Sequence, residues 1–251
     1  MPVVACLPHG GLDYPADLAE ELAVSKDVLW SDWLTRELYA FLPELGITSV
    51  VTSFSRFVAD VNRDPAGEQH GGFWTSVVAA TMPRGRQIYL RPLTSGEIGS
   101  RIRLAHQPFH RALDSALAKL LAIFPRVMLL DLHSFGAGLR GDVILGDRNG
   151  ATARPGAVRQ VAGALSDAGL DVRMNERFSG GWTVRRFAGH AQVDAVQVEL
   201  NQRRYLDLDG HRYPGVPPLR EFDAAQRLLR RALAAIADAA CSSAYLEGET
   251  E

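Results

Sequence analysis

The sequence predicts an α/β protein in which a mostly parallel (mixed) β-sheet lies between two layers of helices. Short apolar runs rich in β-branched residues alternate, over 251 residues, with longer segments whose apolar positions have a helical period. This alternation is typical of parallel sheets, because the connection between two parallel strands usually contains a helix. The sequence contains no internal repeat and no linker-like segment. We therefore expect residues 1–251 to form a single domain, a three-layer α/β/α sandwich.

Five segments are predicted to be strands: Val3–Leu7, Ile47–Phe54, Val127–Leu132, Leu170–Asn175 and Asp194–Leu200. Five others are predicted to be helices: Asp17–Glu21, Asp32–Leu42, Arg101–Ile123, Arg154–Ala168 and Glu221–Ala240. Pro125 and Gly169 mark two of the helix ends. The less regular stretches are expected to be loops: Asp64–Thr75, Met82–Gly99, Phe135–Asn149 and Phe178–His190. In open α/β sheets such loops gather beyond the carboxyl ends of the strands, where ligands bind.

Composition and charge exclude several classes of protein. Hydrophobic residues make up 47% and charged residues 22% of the chain, which excludes a disordered or coiled-coil protein. A net charge of −2 gives no basic field for nucleic acid, and no apolar run approaches the ~20 residues of a membrane span. The segment Met1–Leu7 lacks the basic start of a signal peptide and is predicted to be the first strand. We expect a cytoplasmic protein with no nucleic-acid or membrane partner.

Two cysteines, Cys6 and Cys241, are too few for a disulfide framework or a thiolate zinc site. A metal ion would therefore need histidine, aspartate or glutamate ligands. The chain has seven histidines, and His9 and His133 each directly follow an apolar strand-like run. Glu199 lies within a third such run. Neutral imidazoles and carboxylates suit Zn²⁺, and a glutamate beside the metal can act as a general base. The residues alone fit a metal site and a set of satisfied structural side chains about equally well.

A fourth polar cluster follows the Ile47–Phe54 run and contains Arg56, Asp60 and Arg63. The planar guanidinium group of arginine donates two parallel hydrogen bonds to a carboxylate, so these arginines are candidates for binding an acidic substrate. A surface loop with a local Arg–Asp pair is the alternative interpretation.

Eight segments, taken in chain order, resemble the N-formylglutamate amidohydrolase (N-formylglutamate deformylase) family. They are PHGGLDYP (8–15), SDWLTREL (31–38), FSRFVADVNRDP (54–65), HQPFHRAL (106–113), LLDLHS (129–134), GDVILGDRNG (141–150), FSGGWTVRRFAG (178–189) and AVQVELNQRRYLD (195–207). The resemblance extends from about residue 8 to residue 207 and leaves out the C-terminal helix.

The resemblance implies a fold similar to that of the zinc carboxypeptidases, and it implies roles for several residues. His9 and His133 would be the first and last ligands of one zinc ion. Glu199 would take a proton from the water at the zinc and pass it to the leaving amine. Asn62 and Arg63 resemble the Asn-Arg pair with which the carboxypeptidases hold the substrate carboxylate, and Arg56 is the next candidate for that role.

The middle metal ligand departs from the peptidase pattern. The peptidases have a glutamate three residues after the first histidine, but this chain has Leu12 there. Asp13 and Asp32 are the possible replacements. We favour Asp32, because it belongs to a segment that the amidohydrolases share. A helix cap is its alternative role.

Two further segments supply candidate substrate contacts. Gly181 and Trp182 resemble the family's Gly-Gly-aromatic loop and are expected to line the pocket, although a tight turn also explains the glycines. His106 and His110 have the i, i+4 spacing of a helical metal pair but no accompanying glutamate, so we expect His110 to contact the substrate or a ligand. Asp131 is left outside the predicted site.

The resemblance implies hydrolysis of N-formyl-L-glutamate to formate and L-glutamate, the last step of one route of histidine degradation. A related zinc hydrolase acting on another N-acyl amino acid or a peptide end is the first alternative, because Trp182 replaces the family's usual tyrosine. A non-catalytic protein that binds a small molecule is the second. In the main hypothesis the only partner is a small N-acyl amino acid.

Overall fold

The computed structural model describes residues 1–24, 30–136, 138–208, 218 and 221–247. The strands found there are β1 (Val3–Leu7), β2 (Thr48–Val51), β3 (His70–Gly71), β4 (Val78–Ala79), β5 (Val127–Phe135), β6 (Val143–Gly146), β7 (Val172–Met174) and β8 (Val193–Asn201). The α-helices are α1 (Ala16–Glu20), α2 (Thr35–Leu38), α3 (Ser95–Arg101), α4 (Gln107–Leu121), α5 (Pro155–Asp167), α6 (Trp182–Arg185), α7 (Phe222–Ala240) and α8 (Ser243–Glu247). A π-helical turn, Ile102–His106, joins α3 to α4, and short 3₁₀ helices span Leu42–Leu45 and Gln202–Arg204.

Six strands form one sheet in the order β2-β1-β5-β8-β6-β7. Strands β2, β1, β5 and β8 are parallel, whereas β6 runs antiparallel to β8 and parallel to β7. Strands β3 and β4 form a separate parallel pair. The predicted mostly parallel, mixed sheet is confirmed.

Side chains on each strand alternate between two helical layers. Val3, Ala5 and Leu7 of β1 belong to the apolar cluster that contains residues of α5 and α7. Val4 and Cys6 face the other way and belong to the cluster that contains residues of α4. The three-layer α/β/α arrangement is therefore confirmed, and every residue of β1, β5 and β8 is buried.

The sheet face that packs on α4 changes from apolar to polar along its strands. Leu129 of β5 and its register partner Ala195 of β8 belong to the α4 cluster. Further along the same face, Asp131 pairs in register with Gln197, and His133 pairs with Glu199. Because the period of a strand is two residues, these four polar side chains share the face of Leu129 and meet at the carboxyl edge.

The predicted helix Asp32–Leu42 is shorter in the structure. Leu34 adopts a left-handed backbone with φ of 55° and delays the start of α2 to Thr35. The chain then continues into the 3₁₀ turn Leu42–Leu45, which contains Pro43. The segment before α2 is thereby left free to carry Asp32 to the sheet edge.

Two stretches predicted as loops contain regular structure. Helix α3 begins at Ser95, inside the predicted loop Met82–Gly99, and Thr94 and Glu97 cap it reciprocally. A Thr followed three residues later by a Glu is a sequence signature of a helix start, and our prediction did not use it here. Strand β6 lies inside the predicted loop Phe135–Asn149. Its apolar run of four residues is too short for sequence periodicity to identify it as a strand.

Among the residues described, no helix is long and apolar enough to cross a membrane.

Candidate active site

Three possible metal ligands converge at the carboxyl edge of the sheet. His9 follows β1, Asp32 precedes α2 and His133 lies in β5, and their ligand atoms all lie within 4.8 Å of one another. Asp32 Oδ2 is 3.0 Å from His133 Nδ1 and 3.7 Å from His9 Nδ1. Asp13 is exposed at a backbone bridge with Phe54. The carboxylate that meets the two histidines is therefore Asp32.

One local hydrogen bond and two between distant parts of the chain hold the Asp32 segment at this edge. The Ser134 backbone N–H donates to Asp32 Oδ2 at 3.1 Å, and the Thr35 hydroxyl donates to the Asp32 carbonyl at 2.8 Å. The neighbouring Ser31 hydroxyl donates to the carbonyl oxygen of His9 at 2.8 Å. The segment before α2 is thus fixed both to the turn after β1 and to the end of β5.

The outward nitrogen of each histidine faces a carboxylate. His9 Nε2 lies 2.7 Å from Asp60 Oδ1, and His133 Nε2 lies 3.2 Å from Asp131 Oδ2. The Asp60 carboxylate can accept the outer N–H of His9, which fixes the tautomer and leaves His9 Nδ1 with a lone pair. Asp131 Oδ2 has no hydrogen-bond partner among the described residues, so it acts on His133 through its negative charge. Two inward Nδ1 atoms and one carboxylate oxygen form a donor set that fits a Zn²⁺ ion with a position left for water or substrate.

The charges of this cluster shift its protonation equilibria. Burial disfavours the charged forms of Asp32 and His133, but their mutual attraction and neighbouring groups outweigh it. The hydrogen bond from His133 and the nearby His9 imidazole hold the pKa of Asp32 well below its usual range. The nearby Asp131 carboxylate raises the pKa of His133 well above its usual value.

Glu199 stands beside the cluster as the register partner of His133. Its side chain is buried, and the Gln197 amide donates to Glu199 Oε1 at 2.9 Å. Burial raises the pKa of Glu199 to about 8, an effect opposed by His133 and strengthened by the negative charges of Asp32 and Asp131. A buried carboxyl group beside the three possible ligands is placed to act as a general base.

Two arginines reach the site from the loop after β2. Arg56 Nη2 lies 2.5 Å and Arg63 Nη2 3.7 Å from Asp60 Oδ2, and the two cations hold the pKa of this buried carboxyl well below its usual range. Arg63 Nε is buried and has no hydrogen-bond partner among the described residues. Asp60 therefore links His9 to both arginines and leaves donor capacity on Arg63.

Asn62 connects this loop to the sheet and to the loop before α6. Its Nδ2 lies 3.1 Å from His133 Nε2, and its Oδ1 accepts from the Thr183 backbone N–H at 2.9 Å. A Cβ on Gly181 would lie 2.3 Å from Asn62 Nδ2, so this close approach requires glycine. The Gly181 N–H also donates to Gln197 Oε1 at 2.7 Å.

These residues line a cavity of about 520 Å³. Its polar wall consists of His9, Ser31, Asp32, Arg56, Asn62, Arg63, His133, Ser134, Arg177, Gln197, Glu199 and Gln202. Five aromatic side chains and a glycine-containing loop complete it: Trp30, Phe73, Trp74, Phe135, Phe178 and 179–181, with Gly136 beside them. The predicted Glu199, Arg56, Asn62, Arg63 and Gly181 are thus brought together with the three possible ligands.

Two predicted substrate contacts lie elsewhere. The Trp182 ring packs against the Arg185 guanidinium, 5.0 Å away, and not in the cavity wall. His110 Nε2 faces the Val61 carbonyl at 2.8 Å and its Nδ1 faces Arg186 at 2.7 Å, so both ring nitrogens are engaged behind the site. His110 therefore supports the loop that carries Asn62 and does not reach the cavity.

Sequence reasoning left out Asp131, Gln197, Arg177 and the role of Asp60. The signal for Asp131 was present, because Asp131 and His133 are two residues apart and a strand puts them on the same face. The same rule identifies Gln197 from Glu199. Arg177 and the aromatic wall carry no local signal, since only the tertiary fold determines which loop side chains face a cavity.

The sequence model of the N-formylglutamate amidohydrolase family matches residues 1–206. The chain belongs to this family. It is 32% identical over 223 residues to an N-formylglutamate deformylase of Pseudomonas putida, covering 82% of each chain. It is also 32% identical over 225 residues to an N-formylglutamate deformylase of Pseudomonas aeruginosa, covering 82% of this chain and 83% of the relative.

Two solved structures have a similar fold. The crystal structure of the N-formylglutamate amidohydrolase from Ralstonia eutropha JMP134 superposes with a TM-score of 0.79 at 27% identity, over 99% of this chain and 94% of the other. An Agrobacterium tumefaciens gene product, Atu2144, has a TM-score of 0.69 at 19% identity, over 95% and 91% of the two chains. This second likeness shows the shared fold alone.

Proposed function

We propose that this amidohydrolase hydrolyses N-formyl-L-glutamate to formate and L-glutamate. Family membership and two relatives named N-formylglutamate deformylase support the reaction. The observation that carries the proposal is the convergence of Glu199 with the His9–Asp32–His133 cluster and Arg63 in one cavity. A possible ligand set, a base and a cation for the substrate carboxylate are the three parts that such a reaction needs.

We propose that His9, Asp32 and His133 hold one zinc ion. When bound, zinc supplies a Lewis acid that polarises the formyl carbonyl and makes a water molecule acidic near neutral pH. The Asp60 carboxylate behind His9 supports this assignment, because it can accept the Nε2 proton of His9 and leave Nδ1 to a metal ion. The Asp131 carboxylate adds negative charge behind His133.

Glu199 acts as the proton carrier in this proposal. Gln197 holds its Oε1, so Oε2 is left to accept the proton of the attacking water. The hydroxyl of that water adds to the formyl carbon, the C–N bond breaks, and Glu199 returns the proton to the departing amine.

Arg63 binds a carboxylate of the substrate in this proposal. Its guanidinium lies in the cavity wall, where Nη1 donates to the Asn62 carbonyl and Nη2 lies 3.7 Å from Asp60 Oδ2. Arg56 forms a closer ion pair with Asp60 and would contribute mainly positive charge to the cavity.

The expected cytoplasmic location stays a prediction.

The test is release of formate and glutamate from N-formyl-L-glutamate by the purified protein, together with a metal analysis. Glu199→Gln should lower kcat by at least about 100-fold, the typical contribution of a general base, while bound zinc stays stoichiometric. Glu37→Gln on the exposed surface of α2 is the matched control and should retain full activity. Near-normal turnover by Glu199→Gln would show that the base is misassigned.

A second candidate reaction is hydrolysis of another N-acyl amino acid. The cavity wall includes five aromatic side chains, which a compact dicarboxylate does not require.

A further inference from the structure

Three aromatic side chains form a cluster in the cavity wall that the proposed reaction does not use. The ring centroids of Phe73 and Trp74 lie 4.6 Å apart, and Trp30 stands 5.9 Å from Phe73 and 6.4 Å from Trp74. The ring centroid of Phe57 lies 5.6 Å from that of Phe73, and the Arg56 guanidinium lies 4.6 Å from the Phe73 ring centroid. We refer to Trp30, Phe73 and Trp74 as the aromatic cluster.

The rings of the cluster pack on one another, and two of them are exposed. Trp30 is 45% and Trp74 54% exposed, whereas Phe73 is buried beneath them. Single exposed aromatic residues are common, but a contiguous group that borders a polar site marks a place where an apolar ligand group binds. Here the group borders the candidate active site directly, because Trp30 lies two residues before Asp32 and all three rings line the cavity of Glu199.

N-formyl-L-glutamate leaves this surface without a counterpart. Its formyl group is the smallest acyl group, and its side chain ends in a carboxylate, so the molecule offers little apolar surface. Two further rings, Phe135 and Phe178 with centroids 5.8 Å apart, also line the cavity. An aromatic wall of this extent matches a substrate that carries a planar apolar group.

We propose that the aromatic cluster is a subsite for an aryl group, and that the chain hydrolyses N-acyl amino acids that carry one. The inference rests on the proposed amide hydrolysis and extends its substrate class. The aryl group can be part of the acyl moiety or of the amino-acid side chain. In either case water adds to the amide carbonyl, the C–N bond breaks, and a carboxylic acid and an amino acid are released.

Two probes distinguish these sources: N-phenylacetyl-L-glutamate carries the ring on the acyl group, and N-formyl-L-phenylalanine carries it on the side chain. Their kcat/KM values are compared with that of N-formyl-L-glutamate. Trp74→Ala should lower the ratio of aryl to non-aryl kcat/KM by about ten-fold for at least one probe, the scale of one aromatic contact. Trp74→Phe should restore most of that ratio. Leu90→Ala removes an exposed apolar side chain outside the cavity and should leave the ratio unchanged.

Calorimetric titration of the Glu199→Gln variant measures binding independently of turnover. At least one aryl probe should bind more tightly than N-formyl-L-glutamate, and Trp74→Ala in the same background should remove the difference. A response to only one probe identifies which part of the substrate carries the ring.

Several results would overturn the inference. Hydrolysis of N-formyl-L-glutamate with neither binding nor turnover of an aryl probe would remove the aryl subsite and leave the proposed function intact. An equal loss for all three substrates in Trp74→Ala would assign the ring a structural role. A change of oligomeric state in Trp74→Ala, with unchanged aryl selectivity, would make the cluster a surface between copies of the chain. Aryl binding by Glu199→Gln, with no hydrolysis of any substrate by the unmodified protein, would instead contradict the proposed reaction.

Discussion

At the scale of single residues, the candidate metal centre depends on carboxylates that do not belong to the ligand cluster. Asp60 Oδ1 lies 2.7 Å from His9 Nε2 and also accepts the Asn62 backbone N–H at 2.9 Å. A neutral amide in place of Asp60 cannot accept the His9 proton in the same charge-assisted way, so the inward orientation of Nδ1 is weakened.

Asp60→Asn should therefore weaken zinc binding by about 10–100-fold, measured by competition with a chelator of known affinity. Asp64→Asn is the matched control, because Asp64 lies on the same loop and pairs with Arg185. Equal zinc affinity in Asp60→Asn and the unmodified protein would remove Asp60 from the support of the site.

The sequence predicted individual site residues where strand ends carry polar side chains. His9, His133 and Glu199 follow or end apolar runs, and the parallel sheet brings those runs to one edge. Asp32 could not be found in this way, since it lies in a loop whose position depends on hydrogen bonds to the end of β5. Only the resemblance to the amidohydrolases favoured it.

At the scale of elements, the continuous segment α3–π turn–α4 positions the loop that carries Asn62. His106 at the end of the π turn faces the Arg63 carbonyl at 2.8 Å, and His110 faces the Val61 carbonyl at 2.8 Å. Because Arg186 donates to His110 Nδ1, the His110 proton is on Nε2 and points to Val61. The i, i+4 histidine pair thus binds two carbonyls on either side of Asn62, which sequence spacing alone cannot distinguish from a metal pair.

This arrangement predicts a pH dependence of stability. Burial lowers the pKa of His110 to about 3, and the positive charges of His106 and Arg186, which is itself paired with Asp114, act in the same direction. Below about pH 6.5 the unfolded chain binds a proton at His110 that the folded chain does not bind. The contribution of neutral, buried His110 to the free energy of unfolding is therefore complete above pH 6.5 and is lost as the pH falls towards 3.

The measurement is the free energy of unfolding in urea at pH 7.5 and pH 4.5, for the unmodified protein and for His110→Gln. Glutamine keeps an N–H donor but does not titrate. The free energy of unfolding of the variant should therefore fall by about 2 kcal/mol less than that of the unmodified protein between pH 7.5 and pH 4.5. His190→Gln, at an exposed histidine, should behave like the unmodified protein. The same pH dependence in all three proteins would contradict a neutral, buried His110.

At the scale of the whole molecule, the site joins parts of the chain that are far apart in sequence. The turn after β1, the segment before α2 and the end of β5 meet where the apolar α4 face of the sheet becomes polar. Alternation of strands and helices sufficed to predict this architecture. Periodicity could not place β6, because the position of this short antiparallel strand is determined by its pairing with β8. That residues 1–251 form one domain stays a prediction.

A metal held between these three segments should stabilise the whole fold, because the unfolded chain does not bring His9, Asp32 and His133 together. Zinc at 1,000 times its Kd would add about 4 kcal/mol, which corresponds to a rise in Tm on the order of 10 °C for a chain of this size. The measurement is Tm by calorimetry after removal of metal with a chelator and after addition of zinc. Asp32→Asn should show a much smaller zinc-dependent shift, and His190→Gln should show the full shift. An equal zinc shift in Asp32→Asn and the unmodified protein would mean that zinc binds elsewhere.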